Sequence, residues 1–199
     1  MGRTTCVAIA VLVFAAGALA TDYELKYDWG TTNAGFGGPH DIYYGHDFDL
    51  TNYNPRFVKN IRVYSSGLVF NKQWDGFNIA LFDFSNGYPG EMLWGPKFVV
   101  GSGMEGPYGQ HWCDFTVAYT LPTGKTKIIA AVQQYWNGEN FDPLYIDNGP
   151  YLGHQWWRTS PTQWSEYYND GHNLLIRIVV STNVGVAPAS LGRVKAVFN

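Results

Sequence analysis

Short runs of alternating apolar and polar residues, separated by Gly and Pro, extend along most of this 199-residue chain. The stretch around which the pattern is organised, Trp74 to Val100, is interrupted at Asn86-Gly87-Tyr88-Pro89-Gly90. Before this break, Phe77 to Phe84 is apolar at both alternating sets of positions, which is typical of a strand buried on both faces. The pattern therefore predicts a β-hairpin whose first strand lies inside a packed sheet.

Other runs predict further strands around this hairpin. Their expected ranges are Tyr23–Trp29, Ile42–Leu50, Arg56–Tyr64, Gly67–Phe70, Trp112–Tyr119, Lys125–Gln134, Leu144–Asp147, Gly153–Arg158 and Asn173–Ser181. No amphipathic helical window of useful length is present. About ten to twelve short strands are buried most economically in two stacked antiparallel sheets. We therefore expect an all-β fold, an antiparallel two-sheet β-sandwich of jelly-roll-like form.

The two ends of the chain depart from this pattern. Arg3, the apolar run Cys6 to Ala16 and the sequence Ala18-Leu19-Ala20 predict a cleavable secretory signal peptide over residues 1–20. We expect a single β-sandwich domain over residues 21–181, and a linker with a short C-terminal tail over residues 182–199. No later stretch approaches the roughly 20 apolar residues of a membrane span. The protein is thus predicted to be extracellular or at the cell surface.

Charge and cysteine content narrow the range of partners. The chain has 13 Lys and Arg against 16 Asp and Glu, and it loses Arg3 with the predicted signal peptide. An acidic chain argues against nucleic acid and against an anionic membrane surface as partners. Cys113 is the only cysteine after removal of Cys6, so no intrachain disulfide is expected. We interpret Cys113 as a small buried hydrophobe rather than a reactive thiol.

Motifs for catalysis are missing from the sequence. It contains no G-x-S-x-G elbow, no H-E-x-x-H, no C-x-x-C and no phosphate-binding loop. Glu91, Glu105, Glu139 and Glu166 could supply the two carboxylates of a glycoside-cleaving enzyme. Solvated loop acids are the simpler interpretation, so we expect a protein that is not an enzyme.

Calcium is the metal that the sequence favours, although no cofactor is required. Asp47 and Asp49 are two residues apart on a predicted strand and therefore share one side of it. Asp142 and Asp147 lie in a second oxygen-rich segment. These four residues are the candidate ligands of a structural calcium ion. The alternative is that they cap backbone groups in turns.

The segment from Tyr135 to Tyr168 interleaves Trp and Tyr with Asn, Asp and Gln. Aromatic faces stack on sugar rings while amides and carboxylates bind hydroxyl groups, so this mixture predicts a carbohydrate-binding groove. The predicted ligand-binding residues are Tyr135, Trp136, Asn140, Trp156, Trp157 and Trp164. The alternative is that most of these rings form the core. Adjacent Trp156 and Trp157 must point to opposite faces of a strand, whereas Trp136 and Trp164 are expected to be exposed.

The hairpin also resembles a family of proteins. Its first strand reads F-x-I-x-L-F-D from Phe77 to Asp83, and P-G-x-x-L-W follows from Pro89 to Trp94. This pattern resembles exported bacterial β-sandwich modules, jelly-roll-like accessory domains at the ends of secreted or surface proteins. The resemblance implies a fold and a location but no active site. The tail from Leu191 to Phe198 is similar to short C-terminal sorting or anchoring segments.

Two functional hypotheses follow. The first is a non-catalytic extracellular binding module, with polysaccharide as the ligand class, that uses exposed Trp and Tyr. The alternative is a self-assembling structural or adhesive subunit of the cell surface or matrix, a homo-oligomer whose aromatic patches bury against its own copies.

Overall fold

The computed structural model describes residues 21–30, 32–35, 42–54, 56–66, 68–69, 72–73, 77–99, 110–134, 144–160, 162–167 and 171–182. The predicted signal peptide and the tail after residue 182 lie outside these ranges. Every regular element in the described ranges is a β-strand. Within the same ranges, no helix has the length and apolar character needed to cross a membrane.

The described strands are β1 (Asp22–Lys26), β2 (Thr32–Gly35), β3 (Tyr43–Asp49), β4 (Phe57–Ser66), β5 (Leu68–Val69), β6 (Lys72–Gln73), β7 (Phe77–Ser85), β8 (Tyr88–Val99), β9 (Gln110–Thr120), β10 (Lys127–Gln134), β11 (Tyr145–Asp147), β12 (Gln155–Ser160), β13 (Gln163–Glu166) and β14 (Ile176–Ser181). They form a four-stranded sheet in the order β1-β14-β4-β9 and a six-stranded sheet in the order β13-β12-β3-β10-β7-β8. Two small ribbons, β11-β2 and β5-β6, complete the pairing.

All of these strand pairs are antiparallel, and the chain passes repeatedly from one sheet to the other. Strands β1, β4, β9 and β14 belong to the four-stranded sheet, whereas β3, β7, β8 and β10 belong to the six-stranded sheet. A jelly roll has four strands in each of two layers, with the chain alternating between the layers, and these eight strands have that arrangement. Strands β12 and β13 add a hairpin beside β3. The predicted all-β two-sheet fold is confirmed.

The hairpin that dominates the sequence pattern is β7 and β8, and β7 lies between β10 and β8 as predicted. Ile79 and Leu81 face the space between the sheets, whereas Ala80 and Phe82 face the opposite side. All four side chains are fully buried. The six-stranded sheet is therefore apolar on both faces.

The main core lies between the two sheets. Its fully buried members include Tyr44, Phe48, Ile61, Ile128 and Ile178, contributed by strands from both layers. Cys113 of β9 belongs to this cluster, and burial raises the pKa of its thiol to about 11. Its interpretation as a small buried hydrophobe is consistent with this position.

A second apolar cluster covers the outer face of the six-stranded sheet, the face turned away from the four-stranded sheet. This outer cluster comprises Tyr43, Ala80, Phe82, Ile129, Ala131 and Trp164, with Phe84, Met92 and Trp156 packed against it. Its centre is a row of small residues, since Ala131 pairs with Gly45 on one side and with Ala80 on the other. A Cβ atom at Gly45 would stand 2.4 Å from the Ala130 carbonyl oxygen, so only Gly fits there.

Trp164 is part of this outer cluster, and the expectation that its ring is exposed is wrong. Its side chain is only 4% exposed and meets the Phe82 ring edge to face, with 4.9 Å between the centroids. The row of small residues leaves room for large rings above the sheet, and Trp164 from the edge strand β13 packs there. Its polar sequence surroundings gave no sign of this long-range packing.

The two edges of the six-stranded sheet approach each other across the outer face. The Tyr88 hydroxyl, on edge strand β8, donates to the carbonyl oxygen of Trp164 on edge strand β13 at 2.5 Å. Strand β8 shifts register against β7 at three places. Such bulges increase twist and curvature and also make an edge strand unsuitable for pairing with another chain. The six-stranded sheet is thus curled, with its outer face on the concave side.

Trp164→Ala should lower the free energy of unfolding by about 3–5 kcal/mol, because it leaves a cavity over Phe82. Trp29→Ala is the matched control, since Trp29 is 55% exposed and a clearly smaller loss is expected. Urea unfolding followed by circular dichroism measures both. Equal losses in the two variants would contradict a structural role for Trp164.

Candidate functional site

Among the predicted binding residues that the structure describes, Trp156 of β12 is the one that borders the concave face without being sealed into it. Its ring is half-buried, and it meets Phe84 and Tyr88 edge to face, with centroid distances of 5.4 and 5.9 Å. The indole Nε1 donates to Asp47 Oδ1 at 2.9 Å. Tyr88 is 47% exposed. A fixed indole and an exposed phenol therefore stand side by side at the surface.

Asp47 of β3 holds this arrangement through both of its carboxylate oxygens. Oδ2 lies 2.9 Å from His154 Nδ1, while Oδ1 accepts from Trp156. The His154 ring stacks on Tyr27 at 4.1 Å, and the His154 carbonyl accepts a hydrogen bond from the Asp47 backbone N–H at 3.0 Å. The carboxylate thus fixes the indole relative to the sheet instead of pointing freely into solvent.

Polar groups also lie beside Trp156, on the neighbouring strand β13 and the loop before β12. Glu166 pairs with Trp156 across the β12–β13 ladder and is exposed. The Tyr151 hydroxyl lies 3.3 Å from Glu166 Oε1 and 3.1 Å from the Tyr167 carbonyl oxygen. Partial burial and the nearby Glu166 charge raise the pKa of Tyr151 to about 12, so its hydroxyl stays protonated at neutral pH. We call Trp156, Tyr88, Tyr151 and Glu166 the Trp156 surface.

A cleft of about 380 Å³ opens beside Phe84, at the end of the sheet where the β7–β8 and β9–β10 turns meet. Its lining comprises Asp83, Phe84, Ser85, Asn86, Gly87, Gly124, Lys125, Thr126 and Lys127. The Asp83 side chain is 8% exposed, and its Oδ2 accepts from Lys125 Nζ and from Ser85 Oγ, each at 2.5 Å.

The second carboxylate oxygen of Asp83, Oδ1, is buried and has no hydrogen-bond partner in the described structure. Burial by itself raises the pKa of this carboxyl, but the hydrogen bonds from Lys125 and Ser85 outweigh burial and hold the pKa below its ordinary value. The carboxyl beside the cleft is therefore ionised, and its Oδ1 is closed off from solvent. Unsatisfied buried oxygens are uncommon in folded proteins, so this one calls for an explanation.

The other predicted binding residues are either packed into the two cores or lie outside the described residues. Trp157 faces the inner core and packs against Tyr44 and Tyr167, so the two adjacent indoles do lie on opposite faces of β12. Trp164 is sealed in the outer cluster. Tyr135, Trp136 and Asn140 lie outside the described residues. Of the predicted binding rings that the structure describes, Trp156 is the one at the border of the concave face.

The candidate calcium ligands have other partners. Asp47 and Asp49 share one face of β3 as predicted, but Asp49 accepts from the Thr51 N–H at 2.8 Å and pairs with Lys127 at 3.3 Å. Asp147 is fully buried and accepts from backbone or side-chain N–H groups of Trp29 and Asn173. These contacts match the capping alternative.

Within the described ranges, no three His, Cys, Asp or Glu side chains are grouped closely enough to hold a metal ion. Asp142 lies outside those ranges, so the calcium site stays a prediction.

Sequence reasoning did not identify Tyr88 or the cleft. Tyr88 lies in the polar turn of the β7–β8 hairpin. An aromatic residue in such a turn has no local core to pack into, and this is the sequence signal that could have identified Tyr88 as a candidate binding residue. Asp83 interrupts the apolar run of β7, and a carboxylate at a buried position requires a partner. That partner, Lys125, comes from a turn 42 residues later in the chain.

Comparison of this chain with protein-family models, with curated proteins and with solved structures gives no match.

Buried His46, which precedes Asp47 in β3, makes the free energy of unfolding depend on pH. It is fully buried, with Nε2 2.8 Å from the Leu174 carbonyl oxygen and Nδ1 3.2 Å from the His154 carbonyl oxygen. Burial lowers its pKa below 6.5, although these two carbonyls and the charges of Asp28 and Asp47 act in the opposite direction. Folded His46 is therefore neutral at neutral pH.

We expect the free energy of unfolding to decrease as the pH falls below about 6.5, because the unfolded chain then binds a proton that folded His46 resists. One such proton accounts for at most about 1.4 kcal/mol per pH unit. Urea unfolding at pH 7.5 and pH 5.0 measures the change, which His46→Gln should reduce and His154→Gln should retain. A decrease of the same size in His46→Gln would exclude His46 as its source.

Proposed function

We propose that this protein is a non-catalytic extracellular binding module for polysaccharide, and that it binds sugar rings on the Trp156 surface. The observation that carries the proposal is the half-buried Trp156 indole, held by Asp47 and bordered by exposed Tyr88, at the border of the concave face of a curled sheet. The location follows from the predicted signal peptide and from the resemblance to exported accessory modules.

The chemistry of the Trp156 surface suits a sugar. The faces of a sugar ring carry C–H groups that pack on an indole or a phenol, while its edges carry hydroxyl groups that need donors and acceptors. The exposed Glu166 carboxylate, which the Tyr151 hydroxyl approaches at 3.3 Å, supplies hydrogen-bond acceptors beside the ring. Because Asp47 already fixes Trp156, little side-chain freedom is lost when a ligand binds.

The contacts made by the carboxylates near Trp156 favour binding without catalysis. Asp47 is occupied by two ring nitrogens, from Trp156 and His154, and Glu166 lies within hydrogen-bond distance of Tyr151. Each of these carboxylates therefore positions an aromatic side chain. A glycoside-cleaving pair would need two carboxylates that face the same bond.

Self-assembly into a structural or adhesive subunit is the alternative hypothesis. The exposed large hydrophobic side chains of the described structure include Tyr23, Trp29, Phe98 and Leu152, and they come from separate strands and loops. Single exposed apolar residues are normal on monomers. The bulged edge strand β8 also discourages strand pairing between copies. Both features favour ligand binding over self-assembly.

Trp156→Ala and Tyr88→Ala should each weaken binding to the recognised polysaccharide by about tenfold or more, as expected for aromatic anchors of an interface. Tyr23→Ala is the matched control for Tyr88→Ala, because Tyr23 is 41% exposed but lies on the four-stranded sheet. A glycan array identifies the polysaccharide, and affinity electrophoresis measures the change.

Circular dichroism melts confirm that the variants fold, and light scattering of the same samples reports association. The proposal fails if the parent protein binds no glycan on a broad array, or if both variants bind as tightly as the parent. Concentration-dependent oligomers in the absence of glycan binding would support the self-assembling subunit instead.

A further inference from the structure

We infer that the Trp156 surface continues across Asp47 to His154, and that the His154 ring binds a hydroxyl group of the neighbouring unit in an uncharged polysaccharide chain. This inference rests on the proposed polysaccharide-binding function. It adds a second subsite beside the one at Trp156.

One carboxylate joins the two subsites. Asp47 Oδ1 accepts from Trp156 Nε1, and Asp47 Oδ2 lies 2.9 Å from His154 Nδ1. Trp156 pairs with Gly45, which shares one face of β3 with Asp47, so Asp47 stands on the same face of the six-stranded sheet as the Trp156 ring. Because a single carboxylate group separates the two ring nitrogens, adjacent units of one sugar chain can reach both rings.

The His154 ring is accessible and has a hydrogen-bonding atom to offer. The side chain of His154 is 42% exposed and that of Asp47 only 13%, so a ligand meets the ring and not the carboxylate behind it. In the described structure Nδ1 is held by Asp47, and no protein group bonds Nε2. In the neutral ring, a proton on Nδ1 leaves Nε2 as a hydrogen-bond acceptor. A sugar hydroxyl is a donor that matches it.

The surroundings of His154 fix its ring in one orientation. His154 has a φ of 67°, in the left-handed region that residues with a side chain seldom adopt, and it follows Gly153 with a φ of 82°. Its ring stacks on Tyr27 at 4.1 Å, and Tyr27 stacks on the core residue Phe48 at 5.4 Å. Backbone conformations of this kind are concentrated at functional positions. A ring held by Asp47 and by Tyr27 also loses little freedom when a ligand binds.

The charges near the two subsites favour an uncharged chain. Among the described residues, neither Asp47 nor Glu166 is paired with Lys or Arg. These carboxylates would repel an acidic sugar. Arg158 of the same strand packs over the buried Phe82 ring, 5.2 Å from its centroid, in the covered part of the outer face.

His154→Asn tests the second subsite. Asn tolerates a positive φ, and its amide can donate to Asp47 as Nδ1 does, but it has no atom at the position of Nε2. The probes are neutral gluco-, xylo- and manno-oligosaccharides of increasing length and acidic galacturono-oligosaccharides, measured by calorimetry. In the parent protein, the affinity should rise when the recognised neutral chain becomes long enough to reach His154. We expect His154→Asn to reduce this gain about tenfold, the value of one hydrogen bond.

Tyr23→Ala is the matched control, because it removes an exposed ring that packs on another tyrosine, Tyr53 at 5.3 Å, but belongs to the four-stranded sheet. It should keep the full gain with chain length. His154→Ala is a second variant that removes the whole ring and should lose the gain as well, and melting curves verify that each variant folds.

Each other outcome overturns a defined part of the inference. An equal loss for short and long chains in His154→Asn would mean that His154 only positions Trp156, and a gain that both His154 variants retain would exclude His154 from binding. In either case the proposed function stands if Trp156→Ala loses binding. Preference for galacturono-oligosaccharides overturns the uncharged chain, and a parent protein that binds no glycan overturns both proposals.

Discussion

The six-stranded sheet has to be covered on both of its faces, and the rest of the structure follows from this requirement. Residues 128–132 of β10 are fully buried, on the inner and the outer side alike. The four-stranded sheet covers the inner face. On the outer face, rings from the edge regions pack over the small row formed by Gly45, Ala131 and Ala80. The bulges of β8 and the contact between Tyr88 and Trp164 curl the sheet around these rings.

The candidate site lies where this outer cluster ends. Trp164 fills the covered part, whereas Trp156 and Tyr88 remain partly accessible at its border. Because Trp156 is bonded to Asp47 and packed on Phe84, it belongs to the rigid sheet and not to a loop. A ring placed in this way is held in one orientation by the same packing that stabilises the fold.

Local periodicity predicted the features that depend on neighbouring residues in the chain. Examples are the two buried faces of β7 and the opposite orientations of Trp156 and Trp157. It failed for Trp164, whose burial depends on small residues of β3, β7 and β10 that no local pattern connects to it. The cleft was equally hidden, because Asp83 and Lys125 meet only when two turns distant in sequence come to one end of the sheet.

Among the three buried aspartates of the described structure, Asp83 is the one that keeps an unsatisfied oxygen. Arg177 donates from Nε and Nη2 to the two carboxylate oxygens of Asp28, at 2.8 and 2.6 Å. Both oxygens of Asp147 accept from the Asn173 side chain. An unpartnered buried acceptor costs about 1–3 kcal/mol. Asp83 differs because both of its side-chain partners, Lys125 and Ser85, bond the same oxygen, Oδ2, and leave Oδ1 enclosed in the protein.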